Sequence, residues 1–141
     1  MSEMKLGTFG SLEEAREFFR QDRFATDAGM VIEEMSPGRA VCSFIIDERH
    51  RNAQGGVMGG ATFTLIDFAY AVAASSMHRP TVAMQSSVSY LNAAREGKLT
   101  ATAECLKNGR TSCVYNVDVR DEDGRSIAQG VMTGFKLEGG R

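Results

Sequence analysis

One acidic residue, Asp67, stands alone in a stretch that is otherwise uncharged from Gly55 to Met77. A carboxylate in apolar surroundings loses hydration, so it gains hydrogen bonds, or its pKa rises, or both. Acids in such surroundings are often functional. The alternative is a structural acid that caps a neighbouring segment or ties two subunits together, and this residue alone leaves both interpretations open.

Two pairs of glycines, Gly55-Gly56 and Gly59-Gly60, precede this acid. A helix that begins at Gly59-Gly60 offers unpaired backbone N–H groups with no side chain to block their approach, and such a terminus suits an oxyanion. The alternative is a plain helix entry, where glycine relieves strain in a tight turn. We favour that alternative for Gly55-Gly56 only.

The spacing limits how the acid and the glycines could cooperate. Gly59 and Asp67 are eight residues apart, which is about 12 Å along one helix. They therefore cannot reach the same carbon atom within one chain. If two such helices lie antiparallel across a two-fold axis, the glycine end of one comes beside the acid of the other. This arrangement predicts two composite sites in a homodimer.

The first third of the chain predicts a helix and a hairpin. Ser11 and Glu14 have capping-box spacing and are followed by apolar residues at helical intervals, which predicts a helix over 11–23. Residues 29–46 read as two strands joined at the turn 36–38.

The rest of the chain predicts a central helix and more strands. From Ala61 to Ala74 apolar residues occupy nearly every side, the pattern of a helix that is buried all round. After residue 78 the pattern has period two, which predicts four strands in an antiparallel meander. We therefore expect one α+β domain, residues 1–141, in which an antiparallel sheet wraps around a long helix.

Asn108-Gly109 is a strong signal for a two-residue hairpin turn. In the register that it predicts, Cys105 faces Ser112, so Cys113 lies on the other face of the sheet and a disulfide between the two cysteines is not expected. The three cysteines have no metal-binding spacing, and only two histidines could join them. We expect reduced core thiols, no metal and a cytoplasmic location.

The composition of the chain argues against two classes of partner, nucleic acids and membranes. A net charge of −2 gives no basic footprint for nucleic acid. The N-terminus carries acidic residues where a secretory signal needs a basic start, so export is not expected. Several glycines and hydroxyl side chains, together with Asp67, make membrane insertion of the uncharged stretch costly. We therefore expect neither a nucleic acid nor a membrane as partner.

At this point the residues resemble a known family. The segment HRNAQGGVMGGATFTLID resembles the N-x-x-G-x-x-H-G-G-x-x-x-x-L-x-D signature of hotdog-fold acyl-CoA thioesterases of the phenylacetate-degradation type. Segments on both sides are also similar, so the resemblance extends from Phe18 to Leu137. It implies a hotdog fold that dimerises through continuous sheets, with dimers that often pair into tetramers.

The resemblance also implies an activity, the hydrolysis of acyl-CoA to free acid and CoA. Asp67 stands at the position of the catalytic carboxylate and would act as general base on water or as nucleophile. The Gly59 N–H would stabilise the oxyanion, and Asn52 would place substrate or water. CoA is part of the substrate, so no cofactor is expected. Small to medium acyl groups, with aromatic ones among the candidates, are the expected substrates.

Further positions are candidates for binding the two parts of the substrate. Met58 replaces the family's usual His, and its thioether cannot donate a hydrogen bond. Around the acyl group we expect Met58 and Gly60, together with two strand residues that are equally plausible as core, Met84 and Ser86. For the phosphates and adenine of CoA the candidates lie near strand ends: Lys107, Asn108, Arg110 and Arg95. The alternative for these charged side chains is a solvated surface.

Other functions remain open at this stage. A hydratase of the same fold needs a His beside the carboxylate, and neither His50 nor His78 lies within the helix. We expect His50 to be a solvent-exposed loop residue. A hotdog dimer that binds acyl-CoA or another apolar ligand without turnover is the main alternative, and Met58 favours it. The family's frequent proline is Ala93 here, which predicts a looser strand end. A scaffold without ligand is the weakest alternative.

Overall fold

The structure is a computed structural model that describes residues 8–78 and 80–137. It contains the helices α1 (Leu12–Phe19), α2 (Arg23–Asp27) and α3 (Gly59–Ser75), with a short 3-10 turn at Glu48–His50. Its strands are β1 (Val31–Ser36), β2 (Arg39–Ile45), β3 (Thr81–Tyr90), β4 (Lys98–Asn108), β5 (Ser112–Arg120) and β6 (Ser126–Lys136).

The six strands form one antiparallel sheet in the order β1-β2-β4-β5-β6-β3. The predicted hairpin β1-β2 is present, and β4, β5 and β6 form the predicted meander. The prediction was wrong for β3, which pairs with β6 at the far edge and not with β4. Edge strand β3 is exposed over most of its length.

Helix α3 packs against the inner face of this sheet. Leu65, Ile66 and Ala69 are fully buried. On β6, a side chain at Gly130 would come within 3.1 Å of Ile66, and one at Gly134 would overlap the Tyr70 hydroxyl at 2.0 Å. The absence of side chains at these two strand positions lets the helix approach the sheet closely.

The prediction that α3 is buried all round was wrong for the single chain. Gly60 and Asp67 are exposed, and residues at helical spacing between and beyond them are only partly buried. We call this side the open strip of α3; its members are Gly60, Phe63, Thr64, Asp67, Ala71 and Ser75. Around the acid the open strip carries small and hydroxyl-bearing residues and the ring of Phe63, so a second molecule has room to pack closely against it.

The predicted helix over 11–23 is two helices in the structure. Its start is as expected, because the Ser11 side chain accepts a hydrogen bond from the Glu14 backbone N–H at 3.1 Å. After Phe19 the backbone tightens into turns, with the Asp22 N–H bonded to the Phe19 carbonyl at 2.9 Å. The chain then re-enters a helix, α2, whose separate start the apolar spacing did not indicate.

The hairpin between β4 and β5 differs from the prediction. Gly109 does not have the positive φ that a two-residue Asn-Gly turn requires, and Asn108 pairs with Cys113 across a longer loop. A bulge between Cys105 and Lys107 also shifts the register, so Cys105 pairs with Tyr115. Cys105 and Cys113 therefore face the same side of the sheet, contrary to the expectation, and both are free thiols.

Within the described residues, no helix is both long and apolar enough to cross a bilayer.

A buried hydroxyl fixes the end of α3. Ser76 is fully buried; its Oγ accepts the Gly38 backbone N–H at 2.9 Å and donates to the Ala73 carbonyl at 2.6 Å. The Ser36 carbonyl lies 3.0 Å from the same oxygen. One side chain thus ties the helix end to the β1-β2 turn.

We expect Ser76→Ala to destabilise the protein by ~1–3 kcal/mol, because it leaves the buried Gly38 N–H without an acceptor. Urea unfolding measures this change. Ser75→Ala, one residue earlier and partly exposed, is the matched control and should change stability by less than ~0.5 kcal/mol. Equal losses in both variants would contradict the role given to Ser76.

Candidate functional site

The start of α3 leaves backbone donors free. The Met58 N–H is bonded to the His50 carbonyl at 2.8 Å, and the Met58 carbonyl accepts the Ala61 N–H at 2.9 Å. Within residues 8–78 and 80–137, the N–H groups of Gly59 and Gly60 have no hydrogen-bond acceptor. Two adjacent donors at the positive end of a 17-residue helix are therefore free to meet a ligand.

Asn52 lies in the loop before α3, and the loop occupies its side-chain oxygen. That oxygen accepts the backbone N–H groups of Gln54 at 2.9 Å and Gly56 at 3.1 Å. Gly55 between them has φ +91°, a conformation that favours glycine, so the turn interpretation of this glycine is confirmed. Only the NH₂ of the Asn52 side chain is left to meet a ligand, and it can only donate.

His50 is buried, so the prediction that it is exposed to solvent was wrong. Only 2% of its surface is accessible. Its Nδ1 accepts the Asp47 backbone N–H at 3.0 Å, and its Nε2 lies 2.7 Å from the Ala28 carbonyl. These contacts suit the neutral ring with the proton on Nε2. His50 therefore anchors the loop that leads to Asn52, and its own carbonyl holds Met58.

Asp67 lies on the open strip of α3 and is exposed in the single chain. No donor in the described part of the chain hydrogen-bonds its carboxylate. Partial burial raises the pKa of Asp67, and the negative charge of Asp22, at the start of α2, raises it further. An acid without hydrogen-bond donors and with a raised pKa is a better proton acceptor once ionised than an ordinary surface aspartate.

The chain itself does not bring the acid to the glycines. Both belong to the rigid helix α3, eight residues apart, so the axial separation of about 12 Å predicted from the sequence holds in the fold. Gly60 and Asp67 nevertheless share the open strip. A second molecule that covers the strip would therefore contact both.

The predicted acyl-binding residues are all at the surface. Met58 is 49% exposed and Met84 is 61% exposed. Ser86 is also exposed and pairs with Met132 of β6, whose side chain is buried beneath the helix, so Ser86 faces the same side as α3. Met84 lies at a bulge between Ala83 and Gln85. The core alternative for Met84 and Ser86 is therefore wrong in the single chain.

The predicted CoA-binding residues separate into two groups. Arg95 is exposed and borders a cavity of about 710 Å³ that Asn52 also lines. The Arg51 guanidinium joins the two segments by donating to the Gly55 carbonyl at 2.9 Å and the Arg95 carbonyl at 3.0 Å. The second group, at the far end of β4, is exposed: Lys107, Asn108 and Arg110.

The 11 residues of β4 separate these groups by roughly 33 Å. One chain therefore does not form a single basic site from all four residues.

Two residues near the site were missed by the sequence analysis. The Tyr90 hydroxyl, at the end of β3, donates to the Gly59 carbonyl at 3.2 Å. Asp22 acts on the charge of Asp67 from α2. Neither has a motif of its own, and both meet α3 only through tertiary packing, so sequence spacing gave no signal for them.

A comparison with known proteins gives one family. Residues 54–128 match the Thioesterase superfamily. Acyl-coenzyme A thioesterase 13 of Homo sapiens is 34% identical over 102 residues, which are 70% of this chain and 73% of that protein.

Two solved structures are similar over most of their length. The Escherichia coli PaaI protein from the phenylacetic acid degradation operon aligns with a TM-score of 0.85 and 26% identity over 92% of this chain and 98% of that chain. A hypothetical thioesterase of Streptococcus pneumoniae TIGR4, solved with coenzyme A, aligns with a TM-score of 0.81 and 31% identity over 86% and 95%. The predicted family and hotdog fold are confirmed.

The raised pKa of Asp67 predicts a pH-dependent stability. Because the folded protein holds this proton more tightly than the unfolded chain, ionisation of Asp67 costs stability as pH rises through the folded pKa. We expect Asp67→Asn to raise Tm at about pH 7 and to leave it unchanged at about pH 3, where the carboxyl is protonated in both states.

Asp121 is the control with the opposite sign. Backbone N–H groups of Arg125 and Asp123 lower its pKa, so its ionised form stabilises the fold above the unfolded pKa. Asp121→Asn should lower Tm near neutral pH and lose that effect in acid. Calorimetry across this pH range checks both signs, and a lower Tm for Asp67→Asn at neutral pH would contradict the account of Asp67.

Proposed function

The chain belongs to the thioesterase superfamily, and we propose that it hydrolyses acyl-CoA thioesters to a free acid and CoA. The observation that carries this proposal is Asp67, a carboxylate with a raised pKa and no hydrogen-bond donor among the described residues, on the open side of a helix that begins with two free N–H groups. The names of the relatives support the substrate class.

We place the site between two copies of the chain. Strand β3 supplies an exposed sheet edge of 10 residues, and the open strip of α3 lies on the helix that the same sheet carries. Pairing of two β3 edges across a two-fold axis would continue the sheet and set the two helices antiparallel. The Gly59 end of one helix would then lie beside Asp67 of the other.

In this composite site the thioester carbonyl oxygen accepts the N–H of Gly59, with Gly60 beside it. Asp67 of the other copy takes a proton from water as the water oxygen bonds to the carbonyl carbon. The C–S bond then breaks, and the CoA thiolate leaves and is protonated. In the alternative route Asp67 attacks the carbon itself, and water cleaves the resulting anhydride. Neither route uses a metal or a cofactor.

The composite arrangement also joins the two basic groups. Gly59, Asn52 and Arg95 lie at one end of the sheet, while the Lys107–Arg110 loop lies at the end where α3 finishes. When the helices run antiparallel, the Lys107 end of one copy approaches the Arg95 end of the other. We propose that both groups contact CoA, with Arg95 and Lys107–Arg110 contributed by different copies.

The acyl group would lie beside Met58, Met84 and Ser86, near the interface. Flexible thioether side chains fill irregular apolar space, which suits small to medium acyl groups, aromatic ones included. The cytoplasmic location and pairing of dimers into tetramers stay predictions. The assignment of residues 1–141 to a single domain is also still a prediction.

Thioesterase activity is tested by following release of CoA thiol from benzoyl-, phenylacetyl- and hexanoyl-CoA. We expect turnover by the wild type and a loss of at least about a hundredfold in kcat for Asp67→Asn. Asp118→Asn, on the face of the sheet opposite α3, serves as the activity control. If the wild type shows no turnover while acyl-CoA raises its Tm, the proposed catalysis is wrong. A protein that binds acyl-CoA without hydrolysing it is then favoured, and it is the second candidate function because Met58 replaces the family's usual His.

Mixed dimers test the composite site. Gly59→Val should be inactive, because its methyl groups crowd the approach to the N–H groups. After unfolding and refolding a 1:1 mixture of Asp67→Asn and Gly59→Val chains, half of the dimers are mixed, and each mixed dimer regains one intact site of two. We expect about one quarter of wild-type activity. Activity no higher than that of the separate variants would place both groups in one chain.

A further inference from the structure

Tyr90 contacts the start of α3 from the sheet. It is the last residue of β3, and its hydroxyl donates to the Gly59 carbonyl at 3.2 Å. The ring packs on the same residue, since a Cβ at Gly59 would lie 3.5 Å from Tyr90 Cζ and 3.6 Å from its hydroxyl oxygen. The side chain therefore lies against the backbone turn that carries the free N–H groups.

The accepting carbonyl belongs to a particular peptide group. The Gly59 C=O and the Gly60 N–H are the two ends of one planar unit. A hydrogen bond to the oxygen fixes the plane of that unit and draws electrons from the nitrogen, which makes the N–H a stronger donor. The peptide belongs to the first turn of α3, which fixes it in part, and Tyr90 adds a contact from outside the helix to two residues that have no side chains of their own to pack.

We propose that Tyr90 is a positioning residue of the thioesterase reaction: its hydroxyl orients and polarises the Gly59–Gly60 peptide, so that the Gly60 N–H acts as a second oxyanion donor beside Gly59. The inference rests on the proposed function and adds a residue that acts on the reaction through the backbone. In this proposal the Gly59–Gly60 peptide, held by the Tyr90 side chain of β3, stabilises the transition state.

The exposure of Tyr90 supports this role over a purely structural one. In the single chain the residue is 55% exposed, and a hydrogen bond that exposed contributes little to the free energy of folding of that chain. A fold that needed only an apolar cover over Gly59 would be served by the ring without its hydroxyl. The hydroxyl therefore matters most for the direction and strength of the peptide dipole.

Tyr70 offers a matched control. Its hydroxyl also makes a hydrogen bond of 3.2 Å, to the Thr81 hydroxyl, and it also joins α3 to β3. It lies 11 residues after Gly59, about 16 Å further along the helix. Tyr70 is buried, so Tyr70→Phe removes a hydroxyl with a hydrogen bond of the same length and a larger share in folding, without touching the helix start.

Steady-state kinetics with the preferred acyl-CoA form the test. For Tyr90→Phe we expect kcat to fall about three- to tenfold, the effect of one hydrogen bond, with KM within about twofold and Tm unchanged. Tyr70→Phe should keep kcat within about twofold. In ¹⁵N-labelled protein, Tyr90→Phe should also move the Gly60 amide proton upfield, a readout that is independent of turnover.

The other outcomes overturn the inference. Wild-type kcat in Tyr90→Phe would do so, as would a higher KM with unchanged kcat, because the hydroxyl would then serve binding alone. A loss of kcat that comes with a lower Tm or with dissociated subunits would show a structural role. In each case Asp67→Asn separates the two proposals: if that variant is inactive, the proposed function survives, and if it is fully active, the proposed function itself has failed.

Discussion

One-sided burial of α3 is the constraint on which the rest of the structure depends. The apolar residues of the helix are buried against the inner face of the sheet, where Gly130 and Gly134 allow a close approach. The start of the helix is fixed by the hydrogen bond from the Met58 N–H to the His50 carbonyl, and its end by Ser76. What remains on the other side is a rigid strip with free N–H groups at one end and a carboxylate at the middle. The fold positions reactive groups but does not bring them together.

That separation sets the electrostatics of the site. Partial burial raises the pKa of Asp67, the negative charge of Asp22 raises it further, and no hydrogen-bond donor in the described part of the chain offsets them. Paired with the N–H groups of its own helix, the acid would instead be a cap with a lowered pKa and little basicity. Under the proposed function, the distance along the helix leaves Asp67 free to accept a proton from water, and the two-fold related copy would supply the oxyanion donors.

The sequence predicted the central helix, the lone acid and the glycine terminus because each follows from local spacing. The hairpin β1-β2 and the start of α1 at Ser11 also depend on neighbours in sequence. The position of β3, the burial of His50 and the contact of Tyr90 with Gly59 depend on segments 20 or more residues apart. The register predicted from Asn108-Gly109 was wrong because the β4-β5 loop is longer than two residues and because a bulge after Cys105 changes which face Cys105 occupies. No local pattern in the sequence marks either feature.

The two edges of the sheet are unequal, and this limits how far it can grow. At the outer edge of β1, a bulge follows Ile32, and the Arg16 guanidinium donates to the Ile32 carbonyl at 2.9 and 3.0 Å. An edge blocked by a side chain resists further strands, while β3 at the opposite side stays open. If the proposed dimer pairs its two β3 edges, the joined sheet has twelve strands and presents only β1 edges on its outside, where the bulge and Arg16 oppose further extension.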